Sequence, residues 1–330
     1  MPDRPSVALK VTEKASTSVG YPPSIHEDTQ RYIDASQAPA TIRAYAADWR
    51  IFEDFCLRND LCPLPASPET VAYFLTNEAN RGLKIKTIER RISAIADYHG
   101  KMGQQAPTGT PGAKIIAAVM QGIRREIGEP VEKKHPATDE VIIRLIEKIT
   151  GDALSDYRDR ALLAFGMASA MRRGEISALS MEDLSFGPRG VTVTIEGSKT
   201  DKNRTGQVIT VPHGRVIRPV SILQDWLEAA EITSGPVFRP VVKGGRRTRR
   251  MHLTGHAIAR IVKNRALDAG LDPKLFSGHS FRSGFVTTAA LKNAPLSKIM
   301  EQTRHKDVNT VRQYFAEFEK FNDHAGTSFL

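Results

Sequence analysis

The sequence predicts a mainly α chain with a small β-sheet, an α+β protein of two domains. Three observations carry that expectation. Residues 24–127 hold five segments with the three-and-four apolar spacing of helices and no strand alternation. A stretch rich in proline, glycine and charge follows at 128–137 and reads as a linker. Only beyond it do two period-two segments occur, at 191–196 and 207–211, set among further helical stretches. The 330 residues suffice for two domains of ordinary size. The expected divisions are an N-terminal arm over 1–23, a helical domain over 24–127, the linker, a second domain over 138–315 and a tail over 316–330.

Lys and Arg number 47 against 37 Asp and Glu, a net charge of +10. Such an excess points to a polyanionic partner, nucleic acid first, although a basic soluble enzyme has the same balance. The two cysteines, Cys56 and Cys62, make neither a disulfide framework nor a four-ligand zinc site. They are expected to be reduced thiols packed in or beside a helix, which suits an intracellular, cytoplasmic chain working on nucleoid DNA. No apolar run approaches the roughly 20 residues of a membrane span. The arm has small polar residues and prolines and lacks the apolar core of a signal peptide.

Within the helical domain, Ser24 and Glu27 have capping-box spacing and open a helix to about residue 35. A second follows Thr41, with Ile42, Tyr45, Trp49, Phe52 and Phe55 on one face. Ser67 caps a third, with Pro68 in its first turn and Gly82 beyond its end. A fourth spans about 86–99, burying Ile88, Ile92, Ile95 and Tyr98, and a fifth about 112–127. The last two carry Lys84, Lys86, Arg90, Arg91, Lys114, Arg124 and Arg125 at or near them, read as phosphate contacts against the plainer reading of solvated helix faces.

In the second domain, helices are expected after Thr138 and from Asp156, and Arg172 sits at the junction where one helix hands over to the next. The two alternating segments pair as a hairpin whose turn holds Lys199, Lys202 and Arg204. Val237 and Phe238 form a short strand or turn. Residues 243–250 pack five cations with no anion, so they cannot be core. They are expected to form a flexible loop that offers Arg246, Arg247, Arg249 and Arg250 to phosphates. Thr254 caps a helix that Gly270 ends. Ser277 is an expected N-cap that places His279 in a first turn with Arg282 on the same face, where backbone N–H groups, an imidazole and a guanidinium meet an anion together.

Arg172 in Ala-Met-Arg-Arg-Gly-Glu, Lys199 in Ser-Lys-Thr, His279-Ser-Phe-Arg282, His305 and Tyr314 stand in this order, with nine residues from His305 to Tyr314. In order and spacing they resemble the tyrosine recombinase (phage integrase) family, over residues 24–314. The resemblance implies a core-binding, SAM-like DNA-binding fold for residues 24–127 and a catalytic domain for 138–315. It implies that Arg172 is the first catalytic arginine, Glu175 its structural companion, and Lys199 the hairpin lysine, with Lys202 as the rival. His279 and Arg282 become the central pair, His305 the second histidine position and Tyr314 the nucleophile. Many members carry Leu-Gly before that second histidine. Here Thr303-Arg304 stands there, which adds a cation beside the site and bears on the local turn rather than on the chemistry.

The implied reaction cleaves and rejoins double-stranded DNA at a specific site through a 3′-phosphotyrosyl intermediate and a Holliday junction. Arginine forks suit the non-bridging oxygens of a phosphodiester, whose charge grows in the transition state. A tyrosine of pKa about 10 is ionised in about one molecule per thousand at pH 7, a deficit of about 4 kcal/mol. A base such as His279, or the field of two arginines, offsets much of it. The covalent link conserves the phosphodiester energy, so no cofactor is expected, and no metal. The family also implies a homotetramer on DNA, the tail docking in trans, the alternative being that Phe318, Phe321, Phe329 and Leu330 fold back on their own domain. The alternatives are relaxation of DNA in the manner of a type IB topoisomerase, and DNA binding without cleavage.

Overall fold

A computed structural model describes residues 27–29, 31–33, 36–128, 136–195, 206–278 and 280–312. The chain divides into two compact units, Met1–Val131 and Glu132–Leu330.

The first unit is built on α1 (Pro39–Arg58), α2 (Pro68–Asn80), α3 (Ile85–Lys101) and α4 (Lys114–Ile127). Helical turns at 27–29 and 31–33 precede them. α1 starts two residues before the expected Thr41, because Pro39 at its first turn has no N–H to lose. At α2 the expected cap holds, the Ser67 hydroxyl accepting from the Thr70 N–H at 3.2 Å. Phe52, Phe74, Leu75, Ile88 and Ile95 fill the core, and Trp49 stacks on Tyr98 at 3.7 Å. Cys56 is buried in this core and Cys62 is exposed. Burial, followed by the charges of Cys62 and Glu53, pushes the Cys56 thiol up to about 11, which makes it a packing residue rather than a reactive one.

His99 is buried and ties the unit together. Its Nε2 accepts from the Ala66 N–H at 2.9 Å, so its Nδ1 is the protonated nitrogen and donates to the Ile95 carbonyl at 2.8 Å.

The second unit contains α5 (Asp139–Glu147), α6 (Leu154–Ser169), α7 (Arg173–Ala178), the strands β1 (Leu184–Gly187), β2 (Gly190–Ile195) and β3 (Gln207–Pro212), then α8 (Pro219–Ala229), α9 (Gly255–Asp268), α10 (Ser280–Leu291) and α11 (Leu296–Thr303). The sheet is antiparallel in the order β1-β2-β3, with Val191 opposite Val211 and Val193 opposite Ile209. That register puts Val191, Val193, Ile195, Ile209 and Val211 on one buried face, with α6 and α8 in the same core. The hairpin tip, 196–205, lies outside the described residues, and so do Lys199, Lys202 and Arg204.

α6 is buried almost all round, which is why it carries no polar stripe. Against it lies α10, and the approach needs Gly166, since a Cβ there would meet the Phe281 ring at 2.9 Å. On α10, a Cβ at Gly284 would collide with the Ala137 carbonyl. Residue 137 thus lies directly on the helix that carries Arg282, its N–H bonding the Ser280 carbonyl at 3.1 Å.

Several elements differ from the expectation. β1, α8 and α11 were not foreseen: β1 is four residues long and α11 eight, too short for a periodicity signal. The 243–250 stretch is a backbone-bonded turn rather than a free loop, with Val242 N–H to the Arg247 carbonyl at 3.0 Å and Arg249 N–H to the Pro240 carbonyl at 2.9 Å. The Thr254 cap of α9 holds, its hydroxyl accepting from Ala257 N–H at 3.2 Å.

This packing sets two expectations. Gly284→Ala should destabilise the second unit by about 1–3 kcal/mol, as overpacking does, seen as an earlier unfolding transition of Trp226 fluorescence. Burial lowers the His99 pKa below its ordinary value of 6.5. The unfolded chain therefore takes up a proton that the folded one refuses, and stability falls as pH drops below about 6.5 toward the depressed folded value. In a Trp226→Phe background, Trp49 fluorescence should report a lower denaturant midpoint at pH 5 than at pH 7.5, and His99→Gln should flatten that dependence.

Candidate active site

The site forms where α6 turns into α7. Ala170, the C-cap of α6, adopts a left-handed backbone with φ 51°, which swings the chain so that Arg172 becomes the N-cap residue of α7. Its side chain is 23% exposed. Glu175, one turn on, reaches back and accepts the Arg172 backbone N–H on Oε2 at 2.7 Å and the Arg172 Nη1 on Oε1 at 2.9 Å. This is the carboxylate half of a capping box, and it fixes the guanidinium as well as the helix start.

Arg282 comes from the first turn of α10, is buried, and donates Nη1 to the Ala170 carbonyl at 3.2 Å. The two arginines, far apart in sequence, are thereby anchored to one three-residue turn. Ser277 lies against the start of this helix, its carbonyl accepting from the Ser280 N–H at 3.0 Å. The Ser280 hydroxyl accepts from the Ser277 N–H at 2.9 Å, and α10 is described from Ser280 onward. His279 and Tyr314 lie outside the described residues.

α11 supplies the third wall. Gln302 Nε2 donates to the carbonyls of Ala168 at 3.2 Å and Thr210 at 3.1 Å, stitching α11 to the end of α6 and to β3. The buried Thr303 hydroxyl gives its one proton to the Ile299 carbonyl at 2.6 Å. The 2.7 Å contact between Thr303 Oγ1 and His305 Nδ1 must therefore be donated by the imidazole.

Arg304 is the residue that the sequence placed near the site without a role. It sits at φ 57° as the C-cap of α11, a conformation costing a side-chain-bearing residue about 1–2 kcal/mol. The turn that Leu-Gly provides in many family members is thus made here with an arginine. Its side chain is 5% exposed, and its Nη2 donates to Glu175 Oε2 at 2.6 Å. Burial pushes the Glu175 pKa up, yet the hydrogen bond and charge of Arg304, with the bonds from Arg172, bring it below the ordinary carboxylate value. Thr303 and Gln302 were also missed. A threonine bonding back to the fourth carbonyl before it has a local signal, whereas the partners of Gln302 and Arg304 lie more than 90 residues away.

The expected phosphate-contacting cations divide. Arg91 is a correction: it is buried between Glu78 and Asp48, within the unit's own charge network, and does not face solvent. Arg90 is half exposed and holds Asp48 through two bonds of 2.7 and 3.0 Å. Lys86 and Arg124 are exposed and share Glu89 at 3.1 and 2.9 Å. Lys84, Lys114, Arg125, Arg246, Arg247, Arg249 and Arg250 are all exposed.

The family model described as "Phage integrase family" matches residues 137–320, more than half of the chain. This chain belongs to the phage integrase family. Among curated relatives, an integrase/recombinase xerD homolog from Selenomonas ruminantium is 37% identical over 298 residues, covering 90% of this chain and 87% of that protein. Recombinase cre of Escherichia phage P1 is 24% identical over 288 residues, 82% of each chain. In fold it is similar to a XerH site-specific recombinase bound to palindromic difH substrate, with TM-score 0.60 at 17% identity over 93% of this chain and 84% of that one. A lambda integrase dimer bound to a COC′ core site gives 0.57 at 17% identity over 88% and 93%.

Replacing Thr303 by valine removes the acceptor that fixes the His305 tautomer. Cleavage of a suicide half-site should slow about fivefold, the worth of one hydrogen bond of ~1 kcal/mol, with half-site affinity unchanged in a mobility-shift titration.

Proposed function

We infer that this integrase-family chain is a site-specific tyrosine recombinase that cleaves and rejoins double-stranded DNA. The single observation that supports it most is the joining of Arg172 and Arg282 at one turn, Arg282 bonding the Ala170 carbonyl two residues before Arg172. Two guanidiniums on one phosphate give the charge and the fork geometry that a phosphorane-like transition state requires. His305 adds a third donor.

In the proposed reaction Tyr314 Oη attacks the scissile phosphorus and its proton passes to His279. The bond from phosphorus to the 5′-oxygen breaks, and Lys199 protonates the departing oxygen. A second 5′-hydroxyl then attacks the phosphotyrosine, so no external energy source enters. The exposed cations of both units neutralise the phosphates around the site. The tail, 316–330, docks into a neighbouring protomer, so that four copies close on the junction. Nucleoid DNA in the cytoplasm is the substrate this reading supplies.

Tyr314→Phe should leave half-site affinity unchanged and abolish the covalent adduct on a suicide substrate. A surviving adduct would move the nucleophile elsewhere. Replacing Arg246, Arg247, Arg249 and Arg250 together should flatten the dependence of log affinity on log salt by about 0.9 for each phosphate that is no longer neutralised, measured by fluorescence anisotropy across a salt series.

A further inference from the structure

The turn closing α11 holds a guanidinium that the chemistry above leaves without a task. Arg304 is nine-tenths buried on a backbone, φ 57°, that favours glycine. Only Nη2 is engaged, on Glu175, while Nε and Nη1 are buried with no hydrogen-bond partner among the described residues. A buried cation with two unmet donors on a strained backbone is costly to fold. It stands next to His305 and bonds the same carboxylate as Arg172.

The sharing of that carboxylate matters. A glutamate facing an arginine tends to take it through two parallel bonds, which would occupy both outer nitrogens of the guanidinium and neutralise its charge. Here Oε2 is already filled by Arg304 Nη2 and by the Arg172 backbone N–H, so the Arg172 side chain gives Glu175 only Nη1, through Oε1. Two guanidiniums on one carboxylate also leave the cluster with an excess positive charge.

We propose that Arg304 is a positioning residue for strand cleavage. By occupying Glu175 Oε2 it prevents the carboxylate from chelating Arg172, and so keeps the rest of the Arg172 guanidinium and its charge for the scissile phosphate. The proposal rests on the reading of Arg172 as a phosphate-binding arginine. The charged groups facing Glu175 among the described residues are Arg172, on its own turn, and Arg304, from the end of α11. From α10, Arg282 reaches Ala170 beside them, and His305 follows Arg304. Removing Arg304 therefore takes from a buried carboxyl the strongest partner of its ionised form.

The test is single-turnover cleavage of a suicide half-site across pH by Arg304→Gly and Arg304→Lys, with half-site binding and thermal melting measured alongside. Arg304→Gly relaxes the left-handed turn and so keeps the fold. It should cleave about tenfold more slowly, a loss of transition-state stabilisation, with affinity and melting temperature held. The acid limb of its rate profile should move to higher pH as Glu175 becomes easier to protonate. Arg304→Lys, whose ammonium can still occupy Oε2, should recover most of the rate and the original acid limb. Wild-type cleavage by Arg304→Gly with an unmoved acid limb would overturn the proposal. So would a rate loss that tracks lost melting temperature or affinity, or a lysine variant as slow as the glycine one. If the wild-type chain forms no adduct at all, the recombinase reading itself fails, an outcome distinct from an adduct that ignores Arg304.

Discussion

The carboxylate of Glu175 is the group on which the site's geometry depends. It is nearly buried, it starts α7 through the Arg172 backbone, it holds the Arg172 guanidinium, and it receives Arg304 from α11. A single buried carboxylate between two guanidiniums is stable only as the anion. Desolvation acts against that form and the two arginines restore it. In the proposed reading, that cost is accepted because an excess of positive charge serves the scissile phosphate. A neutral, fully paired cluster would have little attraction for a phosphodiester.

Rigid surroundings make this arrangement possible. α6 is buried on nearly every face and ends at Ala170, so the turn carrying Arg172 has little freedom. Gly166 lets the α10 ring Phe281 close on α6, and that approach brings Arg282 within reach of the Ala170 carbonyl. Gln302 fixes α11 to both α6 and β3. Thr303 and Arg304 then give one short turn two separate tasks: a contact to the His305 Nδ1 and an occupied carboxylate. Among the described residues, the site is thus a product of packing around α6.

Much of this was legible in the sequence, for physical reasons that differ by element. Helices with long amphipathic faces, such as α3 with Ile88, Ile92 and Ile95, announce themselves through periodicity. The Ser67 and Thr254 caps are local chemistry and could be read directly. The proline, glycine and charge at 128–137 suggest a linker, and the chain divides into compact units between residues 131 and 132. Arg172 and Arg282 were singled out by motif, and their common anchor at Ala170 came only with the fold. What could not be read is long-range. Arg91 looked like its neighbour Arg90, yet it turns inward to Glu78 and Asp48, because a helix surface places adjacent residues about 100° apart and only the tertiary fold decides which faces inward. The Arg304 partner lies across 129 residues of sequence, beyond any local rule.

The most direct measurement is a structure of the chain bound to a half-site with its scissile phosphate intact. The account predicts that Arg172 and Arg282 both hydrogen-bond non-bridging oxygens of that one phosphate, with Glu175 still shared between Arg172 and Arg304. Arginines on different phosphates, or a Glu175 that has left Arg304 to take Arg172 through both oxygens, would contradict it.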